Sequence, residues 1–494
     1  MTFNSFSFYL FFIIVVVVHY LLPIRRRWVW LLVASLAFYG FSDIRFPILL
    51  LGLSTFSYLA GVMISKQNEK RARKVWMLAG VGVVLGILIL FKYLNFFLDS
   101  LSTVLIAAGM QWQFRGVKLL YPIGISFYTF QIISYLLDVY SKKIHAEKNI
   151  LHYTLYISFF PQLLIGPIER YAYIKPLLVD PAPFQREGFK DGLVRIGWGL
   201  FKKFVIADRL AVVANSVFSA PHDFASPKLI MGVLAFSFQI YLDFAAYTDI
   251  AIGTAGLLGI TLTENFDRPY LAHSVIDFWR RWHISLSNWL RDYIFLKLNY
   301  KHGRKKPRNL WSGLDVMTTF LISGLWHGAN WTFILWGLLH GVYQTIELLT
   351  QKLRHRIAAQ LHLDRIPRLH TSIQVAATFT LVSLTWIFFK AESIRQALGM
   401  MRTIFTLKDI STENAWAVMD GSLGLDALDM VMMASALLFY LIIEFIEGKY
   451  DLPAVIQRQP IWLRWAGYYG MLLVIIIFGF YGEATVVDFV YFQF

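Results

Sequence analysis

The chain has no cysteine, which excludes disulfides, thiol nucleophiles and cysteine-ligated metals. It is also poor in charge. Asp, Glu, Lys and Arg make up 16% of its 494 residues, where a soluble globular protein carries about 25%. Acidic residues are the scarcer sign, 31 against 46 basic ones, for a formal net charge of +15. No internal repeat and no low-complexity linker appears, and the N-terminus lacks the charged n-region of a cleaved signal peptide. GxSxG, HExxH, Walker and Rossmann glycine patterns are all missing, and scattered histidines make no persuasive metal site. What the chain does have is apolar surface: 57% hydrophobic and 17% aromatic residues, with a mean hydropathy of +0.55. A water-soluble shape cannot hide that much, so the composition predicts an all-α polytopic membrane protein. The basic excess then reads as loops held at the cytoplasmic face, with no nucleic-acid partner.

Spanning helices need about 20 apolar residues. Candidates lie at 6–22, 28–41, 46–65, 75–96, 119–141, 150–168, 197–218, 227–247, 248–262, 310–327, 331–349, 370–389, 427–447 and 461–481. The shorter ones suit re-entrant or interfacial positions. Stretches near 97–111, 183–196 and 391–407 read as amphipathic surface helices. The whole is expected to be one integral-membrane domain with N-terminal helices in 1–118, a catalytic core in 119–349 and C-terminal helices in 350–494. Basic loops at 66–74, 142–148, 280–308 and 352–368 are expected inside, which places both termini outside.

Ionisable residues at membrane depth are costly and point to function by default. Gln239, Asp243 and Asp249 interrupt the apolar run FSFQIYLDFAAYTDIAIG. They either brace neighbouring helices or line a polar path. Next, Ile276, Trp279, His283, Leu286 and Leu290 recur at helical spacing opposite Arg280, Arg281, Arg291 and Asp292. This pattern predicts one amphipathic helix at the cytoplasmic boundary. His283 on it is either a buried, hydrogen-bonded residue or a functional one. Finally, LWSGLDVMTTFLISGLWHGANWTFILWGLLHG (310–341) is about twice the bilayer thickness. It must fold back near Gly328-Ala329-Asn330. His327 then stands beside a backbone break, and Gly324 and Gly328 are expected to leave room there for a ligand. A histidine in such a cavity suits general base catalysis, whereas His340 on the same hairpin could be a packing residue.

These stretches, with FKYLNFF, GISFYTFQIISYLLDVY, FFPQLLIGPIER, FKKFVIADRLA, LTWIFFKAES and the tail VDFVYFQF, make the chain resemble the membrane-bound O-acyltransferase family in its bacterial alginate O-acetylation branch. The loop LKLNYKHGRKKPRN resembles instead the D-alanyl-teichoic-acid branch. The resemblance implies a ring of tilted transmembrane helices around a central funnel, with His327 as the essential histidine in WHGANW and His283 as the second. It implies acetyl transfer from a cytoplasmic acetyl thioester, acetyl-CoA, for O-acetylation of an exported polysaccharide. It further implies a bacterial inner-membrane location, contact with membrane lipid and a separate periplasmic SGNH-type (AlgX- or AlgJ-like) acetyltransferase. No metal is implied. Arg280, Arg281, Arg304 and Lys305, with Trp279, could hold the donor's phosphates, or the basic residues could simply mark the cytoplasmic side. Trp326 and Asn330 join Gln239, Asp243 and Asp249 as a candidate substrate path. D-alanyl transfer to teichoic acid and peptidoglycan O-acetylation are the alternatives within the class. A transporter or flippase is the alternative outside it, and would call for inverted repeats.

The sidedness can be checked directly, since the chain is cysteine-free. Single cysteines replacing Ala72 and Ala358 are expected to react with an impermeant maleimide from the cytoplasm, and one replacing Gln493 from outside. Labelling of the Ala72 and Gln493 positions from the same face would overturn the crossing count.

Overall fold

A computed structural model describes the chain except residues 4, 111–115, 118, 303–307, 408–419, 482–488 and 491–494. The described residues are helical, with no strand among them. They form two compact units interleaved in sequence: Met1–Ile196 with Tyr247–Glu264, and Gly197–Ala246 with Asn265–Phe494.

In the first unit, helices follow one another with few intervening residues. Phe6–Leu21 is capped by Ser5, whose side chain accepts from the Phe8 N–H. It is followed directly by Ile24–Gly40, and Arg45–Lys66 by Lys70–Lys92. Buried rings of Phe3, Phe8, Phe38, Phe160 and Tyr247 fill the space between elements. The buried Arg73 guanidinium donates to the carbonyls of Val139 (3.1 Å) and Tyr140 (2.6 Å). A cation is favoured there because those carbonyls end the Ile125–Tyr140 helix and carry its negative pole. Gly192 and Gly253 bring two backbones together. A Cβ on Gly253 would stand 2.7 Å from the Gly192 carbonyl and 2.8 Å from the Ile196 side chain. Close approach through small residues is how helices pack where lipid removes the hydrophobic drive.

The second unit holds the last long helices, Pro367–Lys390, Ala427–Glu447 and Ile461–Phe478, and the hairpin of Arg308–His327 and Trp331–Gln360. Six helices among the described residues are long and apolar enough to cross a membrane: Arg45–Lys66, Lys70–Lys92, Ser226–Leu257, Pro367–Lys390, Ala427–Glu447 and Ile461–Phe478. Ile461–Phe478 leaves Trp462 68% and Ile477 65% exposed. Contiguous apolar exposure of this kind marks a surface met by lipid.

Three sequence expectations change. The spans expected at 227–247 and 248–262 are one helix, Ser226–Leu257, because no breaker occurs until Gly259, which takes φ +77°. The stretch 150–168 is split into Ile150–Ser158 and the short Phe160–Leu163, with Pro161 at the start of the second. The surface helix expected at 183–196 runs on from Arg186 through a π-helical segment, Phe201–Ala207, to Ser219.

Overpacking a tight crossing costs about 1–3 kcal/mol. Gly253→Val is therefore expected to lower the thermal unfolding midpoint in detergent. Gly82→Val, where nothing lies within 4 Å of the added carbon, is expected to leave it unchanged. Equal midpoints for the two variants would refute the crossing.

Candidate active site

The site is built on the hairpin of the second unit. The first helix ends at His327 and the second starts at Trp331, as the Gly-Ala-Asn stretch predicts. Asn330 caps the new helix: its Oδ1 accepts from the Thr332 N–H (3.0 Å), and its Nδ2 donates to the Glu392 carbonyl (3.2 Å). Asn330 thus has a structural partner on each side of its amide.

The glycines do not leave the open space that the sequence suggests. A Cβ on Gly324 would lie 2.3 Å from the Phe333 carbonyl, and one on Gly337 would lie 2.3 Å from the Phe320 carbonyl. A Cβ on Gly328 would meet the Phe333 ring at 2.2 Å. The missing side chains are taken up by the partner helix, so the two backbones touch. His327 is fixed as a result. Its ring is 5% exposed and stands edge-on to Trp326 (centroids 4.9 Å), Trp336 (5.0 Å) and Phe389 (5.3 Å).

His283 arrives differently. The single amphipathic helix expected over 276–290 is two, Val275–Arg281 and Ile284–Leu290, and His283 sits between them at φ 43°, ψ 55°. The left-handed region is unfavourable for a side chain with a Cβ, so surrounding bonds must hold it. Asn265 supplies them: its carbonyl accepts from Ile284 N–H (2.9 Å) and its Oδ1 from Ser285 N–H (3.2 Å). Ser274 and Glu347 secure the first helix, Ser274 accepting from Asp277 N–H and Glu347 from the N–H groups of Val275 and Ile276. The His283 ring is fully buried, edge-on to Phe244 (4.7 Å) and 6.1 Å from Trp326. Burial pushes its pKa down to about 3, so it is a neutral imidazole at physiological pH. Trp326 therefore borders both histidines, which lie far apart in the sequence.

His340 has its hydrogen-bond partners within the fold. Trp279 Nε1 donates to its Nδ1 (3.2 Å), and its Nε2 lies 3.0 Å from Thr385 Oγ1, which itself donates to the Val382 carbonyl. Indole N–H can only donate, so Nδ1 is the acceptor and the ring proton is on Nε2. The Trp279 N–H is thereby used within the fold.

Of the basic residues, Arg280 is exposed, Arg281 pairs with Asp277 (3.1 Å), and Arg304 and Lys305 lie outside the described residues. The carboxylates of the run at 236–253 each meet a cation. Asp243 pairs with the buried Lys203 (2.8 Å), which also meets Asp208 (2.9 Å), and it accepts from the Val490 N–H. Lys203 further lies over the Phe489 ring. Asp249 belongs to the first unit, where Arg195 contacts it (3.0 Å) together with Glu264. Gln239 is buried, and its Oε1 has no partner among the described residues. Sequence reasoning missed Lys203, Arg195, Asn265 and Glu347. FKKFVIADR offered the signal for Lys203, since a lysine within an apolar run needs a counter-ion. Among the described residues, no three His, Asp or Glu side chains gather as a metal site requires.

Breaking a buried pair from one side costs about 3–5 kcal/mol, because the other charge is left uncompensated. Lys203→Met is expected to lower thermal stability in detergent by that order, and adding Asp243→Asn to recover part of it. A Lys203→Met protein that melts with wild type would remove the bracing role of this cluster.

The membrane-bound O-acyltransferase family profile matches residues 31–390. The chain is similar to a probable alginate O-acetylase AlgI of Pseudomonas putida, 38% identical over 83% of this chain and 81% of the relative. It is similar to a peptidoglycan O-acetyltransferase of Helicobacter pylori, 33% identical over 77% of this chain and 74% of that protein. A teichoic acid D-alanyltransferase of Bacillus subtilis is 32% identical over 45% of this chain and 58% of the relative.

Proposed function

The chain belongs to the membrane-bound O-acyltransferase family, and from that premise we propose that it passes acetyl groups from cytoplasmic acetyl-CoA across a bacterial inner membrane for O-acetylation of alginate. It is an O-acyltransferase and a multi-pass membrane protein. The alginate reading rests on the identity and coverage of the alginate O-acetylase relatives, which exceed those of the D-alanyltransferase relatives. The chain finishes its task through a separate exported SGNH-type acetyltransferase, which places the group on the sugar.

The observation that supports a catalytic role for His327 is its fixed position at the helix break, walled by Trp326, Trp336 and Phe389. Acyl transfer from a thioester needs a base for the hydroxyl, an aligned acyl group and exclusion of water. His327 takes the first role, and the aromatic wall serves the other two. His283 acts from the other side of Trp326, as a neutral imidazole that hydrogen-bonds and orients rather than carries charge. Arg280, exposed at the end of the Val275–Arg281 helix, with Arg281, Arg304 and Lys305, receives the phosphates of the donor, where guanidinium forks match phosphate oxygens.

The test uses host membrane vesicles carrying each variant, fed labelled acetyl-CoA, with acetyl recovered in polymer as the readout. A positioned base contributes about 10²–10⁴-fold, so His327→Ala is expected to lose activity by that order while still inserting and purifying. His283→Ala is expected to lose less. His340→Ala is expected to cost stability, through its lost bonds to Trp279 and Thr385, and to keep much of the turnover of the folded protein. Wild-type turnover by His327→Ala would show that the base lies elsewhere.

A further inference from the structure

Trp336 is fully buried, and its indole Nε1 has no hydrogen-bond partner among the described residues. A buried indole N–H ordinarily finds an acceptor. Leaving one unsatisfied costs about 1–3 kcal/mol, so an orphan in a folded core needs an explanation. This orphan is not in a random place. The Trp336 ring stands 5.0 Å from the His327 ring at 85°. A second polar atom with no partner among the described residues, the buried Ser323 hydroxyl, lies four residues before His327 on the same helix face. Two polar groups without acceptors or donors beside one histidine mark a spot that a polar ligand group completes.

The indole is also held rigidly. It is stacked on Trp386 (5.7 Å, 21°) and meets Phe389 (5.2 Å), His340 (4.9 Å) and Trp279 (5.7 Å) edge-on. A donor that cannot turn away needs no reorganisation when charge develops on its acceptor, which is the condition for electrostatic catalysis.

We propose that Trp336 is a catalytic residue whose indole N–H donates to the acyl carbonyl oxygen as that oxygen becomes an oxyanion. The assignment rests on His327 being the base. In the step, the acceptor hydroxyl oxygen bonds to the carbonyl carbon and its proton passes to His327. The carbonyl electron pair moves onto oxygen, where Trp336 Nε1–H meets it. Collapse restores the carbonyl and breaks the carbon–sulfur bond, and His327 returns the proton to the departing sulfur. Trp336 neither gains nor loses a proton.

The experiment replaces the N–H and keeps the shape. Trp336 is changed to β-(3-benzothienyl)alanine by amber suppression, and in parallel to Phe, in the full chain, and initial rates are measured against acetyl-CoA concentration in host membrane vesicles. Loss of one oxyanion donor lowers kcat by about 10²–10³-fold. That loss is expected in the benzothienyl variant, with the half-saturating acetyl-CoA concentration within a few-fold of wild type. A benzothienyl variant that turns over at the wild-type rate overturns the proposal, whatever Trp336→Phe does; a slow Trp336→Phe then reports lost ring volume alone. If Trp336→Phe fails to accumulate, the benzothienyl variant decides by itself. A fully active His327→Ala protein overturns the base assignment and the proposal that rests on it, whereas a fast benzothienyl variant beside an inactive His327→Ala protein overturns the donor alone, so the two failures are told apart.

Discussion

The arrangement of the second unit depends on one constraint: two helices of the 308–360 hairpin must approach until their backbones touch. Gly324 and Gly337 face one another so closely that a methyl on either would penetrate a carbonyl of the other helix. That contact fixes where the hairpin breaks, and the break fixes His327. The chain crosses from one helix to the next in three residues, with Asn330 satisfying the first free N–H of the new helix. A looser hairpin would let the His327 ring sample several positions.

The second histidine is positioned by the opposite device. Where His327 gains its place from regular helices packed tightly, His283 gains it from a helix interrupted. A left-handed backbone at a non-glycine residue costs roughly 1–3 kcal/mol, and here Asn265 takes the N–H groups of Ile284 and Ser285 just after it, while Ser274 and Glu347 cap the start of the preceding helix. The His283 ring is packed in the core, beside Trp326. Aromatic rings then form a continuous wall from Phe244 through His283, Trp326 and His327 to Trp336. Such a wall excludes water and strengthens every polar contact made within it.

Charge inside the apolar segments is handled by pairing. Lys203 lies between Asp208 and Asp243, and Arg195 between Asp249 and Glu264. An isolated ion at these depths is far costlier than the pair. Carboxylates that read as a polar path along one stretch of sequence are therefore shared out between two units, each with its own cation.

The class of the molecule, its family and the place of the hairpin break were legible along the chain. Those follow from local facts: too little charge to face water, apolar runs of spanning length, and Gly-Ala-Asn where a double-length run must turn. The sequence also singled out His327 and His283, through motifs that lie in short contiguous stretches. The tertiary structure alone decided what surrounds them. The kink at His283 carries no glycine or proline to announce it, because it is held by Asn265, which takes the N–H groups of Ile284 and Ser285 from a distant stretch of the chain. Glycines that suggested an open cavity are closed by a helix the motif does not mention, and the partners of Asp243, Asp249 and His340 come from elsewhere in the chain. The orphan N–H of Trp336 becomes visible only when every neighbour is in place. Helix periodicity and turn chemistry are encoded over about ten residues, whereas the pairing of charges, hydrogen bonds and rings is a property of which segments the folded chain sets side by side.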